Sequence, residues 1–120
     1  MDIDGHKNLT IKYNISYSTL PKWFQEAQTE NAIVDIITDK WLNPYFIWFE
    51  GIWISGCWQG STWQNGLWKQ GIWENGIWKQ GVWMDGLWLD GKWEKGVWVK
   101  GDFMGSPSLG FREDGTPIII

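Results

Sequence analysis

The chain has 120 residues and a formal charge of −4, with a pI near 4.8. That length sets one domain as the prior, and the acidic balance argues against a basic nucleic-acid binder. A single cysteine, Cys57, excludes an internal disulfide scaffold, and no apolar run of about 18 residues offers a spanning helix.

The N-terminus, Met1-Asp2-Ile3-Asp4, is acidic and lacks the basic-then-apolar order of a signal peptide, so a non-secreted protein is expected. His6, the only histidine, is expected to lie exposed in a frayed terminus. Leu9, Ile11, Tyr13, Ile15 and Tyr17 alternate with polar residues and predict a half-buried strand. Pro21 suits the first turn of a helix running to about Gln28, with Trp23, Phe24 and Ala27 on one side. The apolar run Ala32 to Ile37 fits either strand or helix. Residues 1–45 thus form an N-terminal cap or docking region of α+β texture, and Pro44 marks its boundary.

Residues 46–105 are a repeat. Composition announces it, with 13 Trp and 15 Gly. Every fifth residue is tryptophan at Trp53, Trp58, Trp63, Trp68, Trp73, Trp78, Trp83, Trp88, Trp93 and Trp98, followed in phase by Phe103. Two residues before each stands Gly51, Gly56, Gly66 and onward to Gly101, and only Ser61 breaks that register. The residue between is apolar in most copies, as at Ile72, Ile77, Val82 and Leu87. Trp48 adds a degenerate first copy near Phe46.

A period of five suits neither a helix at 3.6 nor a continuous strand at 2. It fits short extended pieces joined by tight bends, with Gly and Trp on one face and the aliphatic residue on the other. Two architectures compete. The Asn65-Gly66, Asn75-Gly76, Asp85-Gly86 and Asp90-Gly91 pairs suit type I′ hairpin turns. Yet three-residue strands with two-residue turns at both ends place both turns on the same bonding side, which conflicts with a plain meander. A solenoid has no such conflict, because each piece bonds to the coil above. The fold class is therefore mainly β: a five-residue-period solenoid, or a hairpin array, with a small α+β N-terminal cap. The tail, 106–120, carries loop residues and ends in Ile118-Ile119-Ile120, which is expected to pair with a sheet edge.

The Gly-x-Trp-x-x phase resembles pentapeptide-repeat proteins. That resemblance implies quadrilateral coils of four units per turn, with a small and a large inward residue two apart. Here Gly and Trp take those places, while the family's usual Asp or Asn between them is Ile, Val or Leu. The chain also resembles the Gly-x-Trp-x-x tracts of tailed-bacteriophage proteins. A weaker likeness is to membrane-occupation-and-recognition-nexus repeats. These resemblances imply a scaffold in a phage particle or bacterial host cytoplasm, rather than an activity.

Catalysis finds little support. Nothing orients His6 against a nucleophile, and Cys57 occupies an aliphatic register, where it reads as a small packed hydrophobe. No His, Cys or carboxylate cluster suggests a metal. No Gly-Lys-Ser/Thr follows the glycines, so a phosphate loop is rejected. No cofactor is expected.

The tryptophan ladder has three readings: a core, an exposed platform for sugar rings, or an assembly surface. Five Lys against five Asp and Glu leave residues 51–105 neutral, without the basic groove of a nucleic-acid binder. Core burial of Trp alone falls short of the ordering entropy, so the Ile/Val/Leu face is expected to be covered by the flanks or by another chain. The expectation is a non-enzymatic structural repeat protein that assembles with itself or another protein. The alternatives are a carbohydrate- or surface-binding module and a small inhibitor of a host protein.

Overall fold

The computed structural model describes residues 2–13, 16–38, 41 and 44–104. From Ile47 to Phe103 the chain winds as a parallel β-solenoid of about four coils. Trp48, Trp63, Trp78 and Trp93 lie one above another on one side. Trp53, Trp68, Trp83 and Trp98 form the second side. Trp58, Trp73, Trp88 and Phe103 form the third. Each coil therefore takes fifteen residues in three sides, not the four-unit quadrilateral that the family resemblance implies.

Glycine forms the corners. The ten repeat glycines hold φ between 117° and 131°, a region closed to residues with a Cβ. The pairing of rungs fifteen residues apart shows that three such bends close each coil. The Asn-Gly and Asp-Gly pairs sit at these corners and not in hairpins. Asn65, Asn75, Asp85 and Asp90 are absent from the residues with positive φ, so a type I′ turn is excluded. Instead, their side-chain oxygens accept a bond from the following glycine N–H at 2.8–2.9 Å, a local bond these side chains favour. The rungs are two residues long, and all repeat rungs pair in parallel, so the hairpin array is overturned. Between coils, the residue after each Trp donates to the Trp carbonyl sixteen positions earlier, as Met84 does to Trp68 at 2.8 Å. The residue after each corner donates likewise, as Val82 does to Gly66 at 2.9 Å.

The indoles fill the triangle. Rings on one side stack at 4.6–4.9 Å with planes 5–8° apart. Rings on successive sides of the repeat meet edge to face at 5.6–5.9 Å and 66–73°. Both are favoured aromatic geometries, and the stacking distance equals the spacing of β-strands. Trp48 through Trp88 are fully buried in this column. The glycines do not share the inward face with Trp, as the alternation suggests. A Cβ on Gly86 would point along the axis into the carbonyl oxygen of Gly71, and would stand 3.2 Å from the Trp68 indole nitrogen.

Ser61 is the exception that the coil permits. Its φ is 86°, and the position fifteen residues earlier is Phe46, not a corner glycine. The hydroxyl accepts a bond from the Phe46 N–H at 3.2 Å.

The N-terminal region lies under the first coil. Strands β1 (His6–Lys7) and β2 (Thr10–Ile11) pair in parallel with β3 (Gln28–Thr38). Strand β3 runs antiparallel to β4 (Pro44–Ser55), which supplies the first two sides of the solenoid. Asn31, at φ 55°, lets β3 turn beneath the Gly51 corner. Helix α1 (Lys22–Gln25) is a single turn beside Cys57–Trp58. Phe24 and Phe46, 4.9 Å apart, are buried beneath the lowest indoles.

Three expectations are corrected here. The long strand from Leu9 is only Thr10–Ile11, because Tyr17–Thr19 forms a 3₁₀ turn capped by Ser16; Ile15 lies outside the described residues. The helix is one turn, since Gln28 already belongs to β3. His6 is not exposed: it is 2% accessible, stacks on Phe24 at 4.4 Å and places Nδ1 2.7 Å from the Thr29 hydroxyl. Pairing of β1 with β3 draws it in. The expected edge pairing of Ile118–Ile120 falls outside the described residues.

Candidate interaction face

The threefold winding sorts the outward residues into three faces, and the faces differ. Above Ile47, the first presents Thr62, Ile77 and Lys92, and the third presents Cys57, Ile72, Leu87 and Asp102. The second face stacks Ile52, Leu67, Val82 and Val97 in register. It alone holds an aliphatic side chain on every rung. The residues after its tryptophans, Ile54, Lys69, Met84 and Val99, continue the apolar strip except at Lys69. Val97 and Met84 are 38% and 41% exposed.

Beside this ladder the corner glycines Gly51, Gly66, Gly81 and Gly96 leave a groove, since they carry no side chain. Its lower stretch is an open hollow of about 670 Å³ bordered by Asn31, Glu50, Asn65 and the Ile52, Leu67 and Val82 side chains. Its upper stretch, about 430 Å³, continues past Gln80 and Lys95 to Val97. One wall is amide and charged, and the other is aliphatic. That wall column reads Glu50, Asn65, Gln80, Lys95 from the first coil to the fourth, so the face is acidic at one end and basic at the other.

The predicted residues separate accordingly. The ten tryptophans from Trp53 to Trp98 are interior; the most accessible, Trp93, is only 8% exposed. Such rings offer no face to a sugar. Ile77, Val82, and the pair Ile72 and Leu87 fall on three different faces. Ile72 and Ile77, at 40% and 36% exposure, are not covered, so the expected cover over the whole aliphatic register is absent among the described residues. The flank sits under the coil and not around it. The Ile52, Leu67 and Val97 partners of Val82 become legible only when every third copy is read together.

The titratable groups serve structure. Burial lowers the pKa of His6 from its ordinary value of 6.5. Burial, with the neighbouring Glu74 carboxylate, pushes the Cys57 thiol up to about 11, and the thiol donates to Glu74. Asp35, on β3, is fully buried with neither oxygen bonded. Among the described residues no group of three or more His, Cys, Asp or Glu could hold a metal ion. No helix there is long and apolar enough to cross a membrane.

The chain matches no protein-family model, no curated protein and no solved structure. The coil itself is a tryptophan-rich tandem repeat compatible with a pentapeptide-type repeat fold.

Proposed function

We propose that the protein is a non-enzymatic structural repeat that works by assembly, with the Ile52–Leu67–Val82–Val97 face as its contact surface. One observation carries the reading. Of three faces built from the same five-residue unit, only one keeps an aliphatic residue on all four rungs. Contiguous apolar surface of that kind marks interaction sites. The stacked indoles need no exposed partner, so the outer ladder is free to serve another surface. The likeness to bacteriophage Gly-x-Trp-x-x tracts supports a place in a phage particle or its host's cytoplasm.

Light scattering across a concentration series, with capture from bacterial lysate, tests the reading. Assembly or a specific protein partner that is lost in the Leu67→Lys/Val82→Lys variant, whose blue-shifted tryptophan emission is retained, supports it. A chain that stays monomeric and retrieves nothing overturns it, as does a variant that assembles like the parent.

A further inference from the structure

We infer that the partner of this face is a second copy of the chain, docked face to face with its solenoid axis reversed. The inference rests on the assembly reading above and specifies its geometry.

A closed pair of like faces needs a two-fold axis in the contact plane. Two directions are available. An axis parallel to the solenoid keeps the coils in the same sense and exchanges the two corner columns that border the face. Lys95 of one copy then meets Lys100 of the other on the fourth rung. An axis perpendicular to the solenoid reverses the coils and sets each column against itself, first rung to fourth. Glu50 then meets Lys95 twice per dimer, and Asn65 meets Gln80 between them. In the ladder Ile52 meets Val97 and Leu67 meets Val82. The reversed pairing matches opposite charges at both ends and amides in the middle, whereas the parallel one sets like charges together. Glu50 and Lys95 are both exposed, and their side chains support nothing in the core. Complementary rim charges of this kind fix orientation more than affinity.

The patch is small. Four rungs at the observed 4.8–4.9 Å stacking interval, by one five-residue side, give a few hundred Å² per copy. A standard interface buries roughly 800 Å² per partner. The pair is therefore expected to be weak and reversible.

Sedimentation equilibrium at low salt, where rim charges are least screened, tests the geometry with Glu50→Lys and Lys95→Glu. Each variant alone is expected to dimerise roughly tenfold more weakly, because both contacts become repulsive. An equimolar mixture is expected to recover parental affinity, since every facing pair is again Lys against Glu. Singles and a mixture that all match the parent overturn the reversed docking while leaving assembly through the face standing. Dimers that survive Leu67→Lys/Val82→Lys overturn the face itself. A parent monomeric at every concentration overturns the self-pair and leaves the assembly reading dependent on a different protein.

Discussion

The indole of Trp83 lies parallel to that of Trp68, with centroids 4.8 Å apart and planes 8° from parallel. The backbone of the two residues pairs at the same step. Ring stack and hydrogen-bond ladder are thus commensurate, so neither strains the other. Trp83 is also stacked by Trp98 from above, at 4.9 Å. Trp83→Ala removes a ring held on both faces and is expected to cost about 3–5 kcal/mol. Trp98→Ala, at the last described ring of that column, is expected to cost less. Urea midpoints of the two variants check the order; equal losses would refute it.

Gly81 and Gly60 make a matched contrast. A Cβ on Gly81, at φ 127°, would run into the Gly66 carbonyl oxygen. At Gly60 nothing lies within 4 Å of the same atom. Gly81→Ala is expected to destabilise by about 3 kcal/mol or more, from strain plus backbone collision. Gly60→Ala is expected to stay within about 0.5 kcal/mol. Thermal unfolding of the two alanine variants measures the difference.

Asp35 contributes a cost. Its carboxylate is wholly buried and unbonded, on a strand where a β-branched residue fits. Asp35→Val is expected to raise stability by about 1–3 kcal/mol, the penalty of an unsatisfied buried polar group. A lower urea midpoint in the variant would count against this account.

The His6 ring couples the N-terminal layer to pH. Burial lowers its pKa from 6.5, so below that value the unfolded chain binds a proton that the folded chain refuses. Its contribution is complete above the unfolded pKa and is lost as pH falls toward the lowered value. The melting temperature is expected to drop more steeply between about pH 7 and pH 5 in the parent than in His6→Phe, which keeps the ring stack on Phe24. Parallel slopes would show that His6 is not the titrating group.

Cys57 is expected to resist alkylation. Its thiol, raised to about 11, is almost wholly protonated at neutral pH, and the thiolate is the reactive form. Labelling by iodoacetamide should be slow in the folded protein and faster once urea unfolds it. Equal rates in both states would show that burial does not protect the sulfur.

Much of the fold was legible in the five-residue phase. Trp at every fifth place required one strictly repeating register, while leaving core, platform and assembly surface open, and strand parity disfavoured a plain meander. The number of sides was not legible, because it depends on how sharply each corner bends. A Gly-x-Trp-x-x string is equally compatible with four sides. Ser61 read as a lapse in the pattern, and only the stacking of coils shows that its position has no glycine beneath it. The burial of His6 was not legible because it comes from β1 pairing with β3, twenty-three residues away in sequence.

By itself the sequence determined that tryptophan and glycine would recur in one five-residue register of short extended pieces and bends, since that follows from local alternation and backbone freedom. The tertiary structure put the indoles inside. It also decided which copies share a face. Ile52, Leu67, Val82 and Val97 are fifteen residues apart, and nothing local distinguishes them from Ile72 or Ile77. Only closing the coil in three brings them into one ladder, with Glu50 at one end and Lys95 at the other.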